Sequence, residues 1–348
     1  MSGGVDSAVA ALLLLEQGYE VIGVTLKTWS GESNRCCEID AARNIAQKLK
    51  IKFHVWNVSA YFEEQVVTPF KRAYANGLTP NPCTRCNRTV KWTGLIHAAD
   101  VLGAKFVATG HYAKVTQLDN GRFAVGTAQD AAKDQSYMLY NLTQTQLART
   151  LFPLGKLHKT EVRQIAADNG LSVADKPDSQ EICFVTRGSY ADYIGENAAV
   201  PGNFVDRAGR VVGRHKGIIH YTVGQRRGLN LALGYPAYVQ KIDAVANEIV
   251  IGDAASLYAD TIYCNEVNFM GLEEIKSGME ITAAVKIRYK HPGEQATLTR
   301  IGNNNVKIAF ANAVRAPAPG QAAVFYDAAA FVIGGGIIMD VAREEQKE

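Results

Sequence analysis

The sequence predicts an α/β fold: a parallel-sheet domain carrying a helical insert, then a small central β-rich domain and a C-terminal β-barrel. Three observations predict it. Helix-period and strand-period segments alternate through roughly the first hundred residues, the pattern that layers helices over a parallel sheet. After about residue 140 the segments become short helices, and from Pro201 onward they become short β-rich runs split by Gly, Asn and Pro. At about 150 residues per domain, a chain of 348 residues holds two or three such units.

Taken in order, Val5 to Gln17 is apolar enough for a buried helix, and Gly18 stops it before the strand-like run Val21 to Leu26. Glu38 to Leu49 predicts a second helix, Ile51 to Val58 a second strand, and the stretch after Ser59 another helix towards Tyr74. Asn76 to Cys86 is broken by Gly77, Pro80 and Pro82, so it reads as irregular, with Asn87 capping a helix through Val101. Phe106 to Ala113 is the next strand, and Asp119-Asn120-Gly121 between β-prone flanks is a hairpin turn. Thr160 caps a helix over Glu161 to Asn169, ended by Gly170. In the last part, Ile249 to Ile251, Ala283 to Tyr289 and Ala322 to Tyr326 read as strands of a barrel or sandwich.

Composition narrows the function. Lys plus Arg exceeds Asp plus Glu by only 37 to 34, so any nucleic-acid surface must be local. One stretch qualifies: Arg207, Arg210, Arg214, Lys216, Arg226 and Arg227 have no acidic residue between them and suit a phosphate track. No apolar run reaches the roughly 18 residues of a membrane span, and Ala8 to Leu15 lacks the basic leader of a secretion signal. The expectation is a cytoplasmic protein without a membrane partner. Six cysteines are too few for a disulfide framework and point to thiol or metal chemistry where they group, at Cys36-Cys37 and Cys83-x-x-Cys86.

The chemistry begins at Ser2-Gly3-Gly4-Val5-Asp6-Ser7. Glycines let backbone approach phosphate oxygens, a helix N-terminus offers unpaired N–H groups, and serine hydroxyls add donors. Asp6 repels bare phosphate, so its expected work is to hold Mg²⁺ or its water shell. The second signature, Thr79 to Asn87, places Cys86 beside Arg85, Arg88 and Lys91 and before the predicted helix, a setting that favours a nucleophilic thiolate. In the third, Asp178 to Phe184, Cys183 lies between Ile and Phe, and by itself reads as a buried inert thiol.

The first hexapeptide resembles the PP-loop of the ATP pyrophosphatase superfamily, whose fold is that of the adenine nucleotide alpha hydrolases and whose members adenylate a substrate oxygen. Together the segments resemble one family within it, the tRNA-specific 2-thiouridylases. Carrying the resemblance are Cys36-Cys37, NPCTRCN, Ala108 to Tyr112, Lys133 to Tyr137, DSQEICF, Tyr221 to Gly228, Lys286 to Tyr289 and Pro319 to Gln321.

The resemblance implies a division into residues 1–199, the catalytic PP-loop domain with its insert, 200–256, a small central domain, and 257–348, a tRNA-contacting barrel. It implies that Ser2, Gly3, Gly4, Val5, Asp6, Ser7, Leu26 and Gly110 bind ATP. Asn81, Pro82 and Cys83 would lie against the target uracil. His111, Lys133, Asp134, Gln135, Arg288, Tyr289 and Gln321 would contact tRNA. Cys183 would carry a persulfide sulfur, reversing the inert reading, and Cys86 would be its partner thiol. The implied reaction adenylates O2 of the wobble uridine, releases pyrophosphate, and replaces AMP by sulfur, ending in a Cys86–Cys183 disulfide. A cysteine desulfurase or sulfur-relay protein is the implied donor.

Two departures from the family pattern matter. Relatives place a hydrophobic strand directly before the loop, whereas this sequence begins on it, so the expectation is that an unpaired central strand weakens folding and ATP affinity. Position 83 varies between Asp and Cys among relatives. Here Cys83, Cys86 and Cys183 make an iron–sulfur cluster the second reading of the sulfur chemistry. Structural zinc ranks third, for want of a fourth ligand. Competing functions are an RNA-binding module with an impaired loop and an ammonia-using synthetase, which has no use for paired thiols. Cys264 is expected in a core.

Overall fold

The computed structural model describes residues 1–28, 38–177, 182–185, 193–195, 199–302 and 304–342. Cys36, Cys37 and the 178–181 part of the third signature lie outside the described residues. Helix α1 (Val5–Glu16), strand β1 (Ile22–Lys27), α2 (Ile39–Lys48) and β2 (Lys52–Asn57) appear in the expected order, and β1 pairs parallel with β2. Beside β1, the Met1 ammonium donates to the Val24 carbonyl, and the Thr25 hydroxyl donates to the Met1 carbonyl at 2.6 Å. The loop is thereby fastened to the strand.

A bent helix follows, α3 (Ser59–Phe62) passing through a π-helical turn at Glu63–Val67 into α4 (Thr68–Ala75). Its inner face, Phe62, Val66, Val67, Phe70 and Tyr74, belongs to one apolar cluster with Phe184 and the central domain's Phe204, Ile218 and Val239.

The next segment corrects the sequence reading. Helix α5 (Pro82–Cys86) already starts at Pro82, capped by Asn81, whose side-chain oxygen accepts the Cys83 N–H at 3.1 Å. It runs on through a π-helical turn at Asn87–Trp92 into α6 (Thr93–Leu102). Pro82 interrupts the pattern in sequence, yet proline at the first helical position loses no hydrogen bond. Asn87 is therefore no cap; it is buried and donates to the Met138 carbonyl at 2.8 Å.

The expected strand over 106–113 shrinks to β3 (Val107–Ala108). Beyond it the chain opens into the hairpin β4 (Lys114–Gln117) and β5 (Phe123–Gly126), with Gly121 at φ +80° in its turn. Helix α7 (Gln144–Leu147) leads to β6 (Thr150–Leu151), which pairs parallel with β3. Helix α8 (Lys159–Asp168) is capped by His158 rather than Thr160, with the Glu161 carboxylate accepting the His158 N–H at 2.6 Å.

The central sheet has order β8-β7-β10-β9, built from β7 (Gly202–Val205), β8 (Val211–His215), β9 (Tyr238–Asp243) and β10 (Glu248–Gly252). The last six strands are β11 (Tyr258–Phe269), β12 (Glu280–Lys286), β13 (Glu294–Arg300), β14 (Val306–Arg315), β15 (Ala322–Tyr326) and β16 (Val332–Ala342). They close into a barrel of order β11-β14-β13-β12-β15-β16. Closure leaves no free edge, which decides barrel over sandwich. Cys264 is fully buried in the barrel core, and burial pushes its thiol pKa up, as expected of an inert cysteine. Among the described residues no helix is long and apolar enough to cross a membrane.

Candidate functional site

The glycine loop and the thiol-bearing loop are built by different means. At the first, Gly3 has φ +76°, a region that disfavours other residues, and a β-carbon there would meet the Glu38 carbonyl oxygen at 2.8 Å. Gly4 caps α1 with extended backbone and no side-chain bond, so the first amides of α1 point out of the loop. Ser7 ties the turn shut: its hydroxyl donates to the Gly4 carbonyl at 3.1 Å and accepts the Ser2 N–H at 3.2 Å. Gly110 presses on this turn, for a β-carbon at 110 would lie 2.6 Å from the Asp6 carbonyl carbon. Leu26 is buried at the end of β1, packed near Gly94 of α6. Gly94 also walls a cleft of about 360 Å³ at the end of β2, with Trp56, Asn57, Thr93 and His97.

Two lysines that sequence reasoning missed meet the loop. Lys159, 9% exposed, contacts both Asp6 carboxylate oxygens at 2.6 and 2.8 Å, and the Tyr112 hydroxyl donates to Asp6 Oδ1 at 2.8 Å. Lys176 donates to the Gly3 carbonyl at 3.1 Å and pairs with Glu38. A signal for Lys159 existed: it opens α8, where a cation opposes the helix dipole and needs an anionic partner. Nothing local marks Lys176.

The Asn81-to-Asn87 loop is clasped from the barrel. The Thr79 N–H donates to the Pro319 carbonyl at 2.8 Å, and the Gln321 side-chain amide donates to the Thr79 carbonyl at 2.9 Å. Asn81 reaches the Met138 sulfur at 3.5 Å. Cys83 is exposed and sits in the first turn of α5, where the helix-terminal amides lie, whereas Cys86 is followed directly by the π-helical turn that continues the helix. The helix terminus therefore lies at Cys83 and not, as the sequence predicts, at Cys86. Cys86 and Cys183 are half-buried and pack against the same apolar cluster, which Phe184 enters edge-on to Phe62 and Phe70. The fold brings them to one cluster across almost a hundred residues of sequence.

The remaining predicted residues divide. Arg288 is exposed and donates to the Arg315 carbonyl at 3.0 Å. Tyr289 is half-buried near Tyr137, and burial raises its pKa. Lys133 is half-buried. Asp134 is 9% exposed and turned inward, accepting from Ala128 N–H at 3.0 Å and the Ser136 hydroxyl at 2.8 Å. Gln135 brackets Tyr112, accepting its N–H at 3.0 Å and donating to its carbonyl at 2.8 Å. His111 faces Thr109 Oγ1 through Nδ1 at 2.8 Å, with its ring against Trp92 and Phe152. Burial, then Lys91, holds its pKa well below the usual histidine value. Arg207, Arg210, Arg214, Lys216, Arg226 and Arg227 are all exposed, with Arg210 paired to Asp206 at 2.7 Å.

Cys83, Cys86 and Cys183 do not gather for a cluster, and Asp6, named for Mg²⁺, already has protein partners. Among the described residues no three His, Cys, Asp or Glu side chains gather to hold an ion, so Cys83, Cys86 and Cys183 do not form a cluster ligand set. The Asp6 carboxylate assigned to Mg²⁺ is occupied by Lys159 and Tyr112.

Comparison with known proteins fits this arrangement. Residues 1–187 match the family described as the tRNA methyl transferase HUP domain, 191–253 the tRNA methyl transferase PRC-barrel domain, and 259–338 the aminomethyltransferase β-barrel domain. A tRNA-specific 2-thiouridylase MnmA of Lachnoclostridium phytofermentans is 49% identical, over 97% of this chain and 98% of its own. The protein of Clostridium botulinum named tRNA-specific 2-thiouridylase MnmA 2 is 45% identical over 98% and 97%. That of Clostridium beijerinckii is 44% identical over 98% of each chain.

Proposed function

The chain belongs to the tRNA-specific 2-thiouridylase family, and on that premise we propose that it adenylates the wobble uridine of tRNA with ATP and exchanges the activated oxygen for sulfur from Cys183. It is a tRNA-uridine 2-sulfurtransferase. The observation that carries the sulfur route is the placement of Cys86 and Cys183, two half-buried cysteines almost a hundred residues apart, against one apolar cluster.

In this reading the loop from Ser2 to Ser7 takes the triphosphate on the open amides of α1, Gly110 holds the turn from below, and Leu26 lines the adenosine side. The uridine O2 attacks the α-phosphorus and pyrophosphate leaves, so that the poor oxygen leaving group becomes AMP. Asn81, Pro82 and Cys83 lie against the uracil, and the Thr79–Gln321 clasp fixes their loop. The terminal sulfur of a Cys183 persulfide attacks C2 and AMP departs. The Cys86 thiolate takes the inner Cys183 sulfur, leaving 2-thiouridine and a Cys86–Cys183 disulfide. Alternatively Cys86 attacks first and releases sulfide, which attacks C2, and the same disulfide results. An external dithiol reductant restores both thiols, and a cysteine desulfurase or sulfur-relay protein reloads Cys183 in the cytoplasm.

His111, Lys133, Arg288, Tyr289 and the exposed arginines of the central domain suit the tRNA surface by charge and ring faces. Asp134 and Gln135 serve it through the loop they hold. The domain division at 1–199, 200–256 and 257–348 assigns chemistry to the first unit and tRNA docking to the last. The experiment is nucleoside mass spectrometry on unmodified tRNA incubated anaerobically with the protein, ATP, Mg²⁺ and a cysteine desulfurase with its cysteine substrate as persulfide source, with and without iron reconstitution. 2-Thiouridine formed without iron supports the reading; product formed only after reconstitution replaces it with cluster chemistry.

A further inference from the structure

Asp6 lies in the first turn of α1, where the triphosphate is placed by the reading above, and a lone carboxylate there repels it. Yet this carboxylate does not stand alone. Lys159 Nζ contacts both of its oxygens at 2.6 and 2.8 Å, and the Tyr112 hydroxyl donates to Oδ1 at 2.8 Å. The lysine is itself held in place. Its backbone N–H donates to Asp130 Oδ2 at 2.9 Å, and its ammonium sits 5.6 Å from the Tyr112 ring centroid. Burying an ammonium at the start of a helix is unfavourable on two counts, desolvation and the helix dipole, and a close carboxylate offsets both.

We infer that Asp6 and Lys159 work as a neutral pair that lets the glycine loop accept the triphosphate, Lys159 cancelling the Asp6 charge and Asp6 serving as the counter-ion of the buried Lys159, not as a metal ligand. Tyr112 fixes the direction of the carboxylate. Any divalent cation then arrives on the phosphates of ATP and needs no protein carboxylate at position 6. The inference rests on the ATP reading and goes further, because it assigns two residues outside the loop motif and removes the metal role from Asp6.

The test is calorimetric titration of the full chain with a non-hydrolysable α,β-methylene ATP analogue and Mg²⁺, with melting temperatures measured with and without analogue. Lys159→Met leaves a lone carboxylate against the phosphates, and the expected loss of affinity is roughly 30-fold, the scale of truncating one partner of a buried charge pair. Lys159→Arg keeps the charge and recovers most of it. In the Asp6→Asn, Lys159→Met double variant the repulsion is gone, so binding recovers most of the Lys159→Met loss. Asp6→Asn alone removes the carboxylate and keeps the cation beside the loop, and binds the analogue about threefold tighter or better, with a larger melting shift on binding.

A metal-ligand role predicts the reverse: Asp6→Asn binds the analogue more weakly than the unsubstituted chain, and the double variant is no better than Lys159→Met. Either result overturns the pair, as does Lys159→Met binding like the unsubstituted chain. Where Lys159→Met does not fold, the direction of the Asp6→Asn change decides alone. If the unsubstituted chain does not bind the analogue, the ATP reading fails and the pair falls with it; if it binds and the variants disagree, only the pair falls.

Discussion

The side-chain amide of Gln321, on the barrel, donates a 2.9 Å hydrogen bond to the main-chain carbonyl of Thr79, 242 positions earlier. That carbonyl opens the loop carrying Asn81, Pro82 and Cys83, and Gly320 lies so close that a β-carbon there would meet the Thr79 nitrogen at 2.9 Å. The bond makes Gln321 a positioning residue for the loop proposed to face the uracil. Losing one such bond costs about 0.5–1.5 kcal/mol, roughly 2- to 12-fold. Gln321→Ala is therefore expected to slow single-turnover thiolation by that factor while ATP-analogue affinity stays unchanged. A parallel loss in ATP affinity would mean that the clasp holds the whole catalytic domain and not the loop alone.

Cys183→Ser is expected to abolish 2-thiouridine formation while tRNA binding, followed by filter retention, stays within about twofold, because the half-buried thiol adds little area to any RNA surface. Cys86→Ser leaves Cys183 without its partner and stops turnover after at most one sulfur. Cys83→Ser separates persulfide from cluster chemistry. With no three-thiolate group gathered among the described residues, this variant should retain thiolation. Complete loss, restored by no sulfide concentration, would revive Cys83 as a cluster ligand.

Much of this was legible in the sequence, and the misses have identifiable physical causes. The alternation of α1, β1, α2 and β2 was visible because buried helices and strands carry opposite periodicities over whole elements. The barrel's β12 and β15 showed for the same reason. The start of α5 is hidden in the sequence because proline breaks a helix interior but suits its first position, and local letters do not tell the two apart at Pro82. The strand expected over 106–113 pairs only through Val107 and Ala108, since the backbone then turns to set Gly110 against the loop. In the site, residues inside motifs were found, whereas Lys159 and Lys176 act through contacts from far along the chain, which no local spacing encodes.

Gly110 offers a test of the close approach that defines the glycine loop. An added β-carbon meets the Asp6 carbonyl carbon at 2.6 Å, its oxygen at 2.8 Å and the Ser7 nitrogen at 2.8 Å, all backbone atoms that cannot swing away. Gly110→Ala must therefore displace the first turn of α1, where overpacking costs about 1–3 kcal/mol. Analogue affinity should fall by roughly 10-fold or more, with thiolation falling in step, while the barrel keeps its melting behaviour. Unchanged affinity would show that the turn yields without disturbing the amides proposed to meet phosphate.

The last prediction concerns pH. Burial against Trp92 and Phe152, with Lys91 adding to it, holds His111 neutral well below the usual histidine value. In the unfolded chain the same imidazole takes a proton near pH 6.5. Between those two values the unfolded state binds more protons than the folded one, so stability rises with pH there. The stabilising contribution is thus present above about pH 6.5 and is lost as pH falls through 6.5 towards the folded-state pKa. His215, lowered by its own burial, contributes in the same direction. Melting temperature should fall as the buffer is taken from pH 7.5 to about 5, and His111→Gln should flatten that slope while lowering the plateau above pH 7, because the Thr109 contact is disturbed. Because His111 stays neutral throughout, single-turnover thiolation between pH 6 and 8 should show no inflection that this variant removes. An inflection that disappears with His111 would instead make it a titrating group of the reaction.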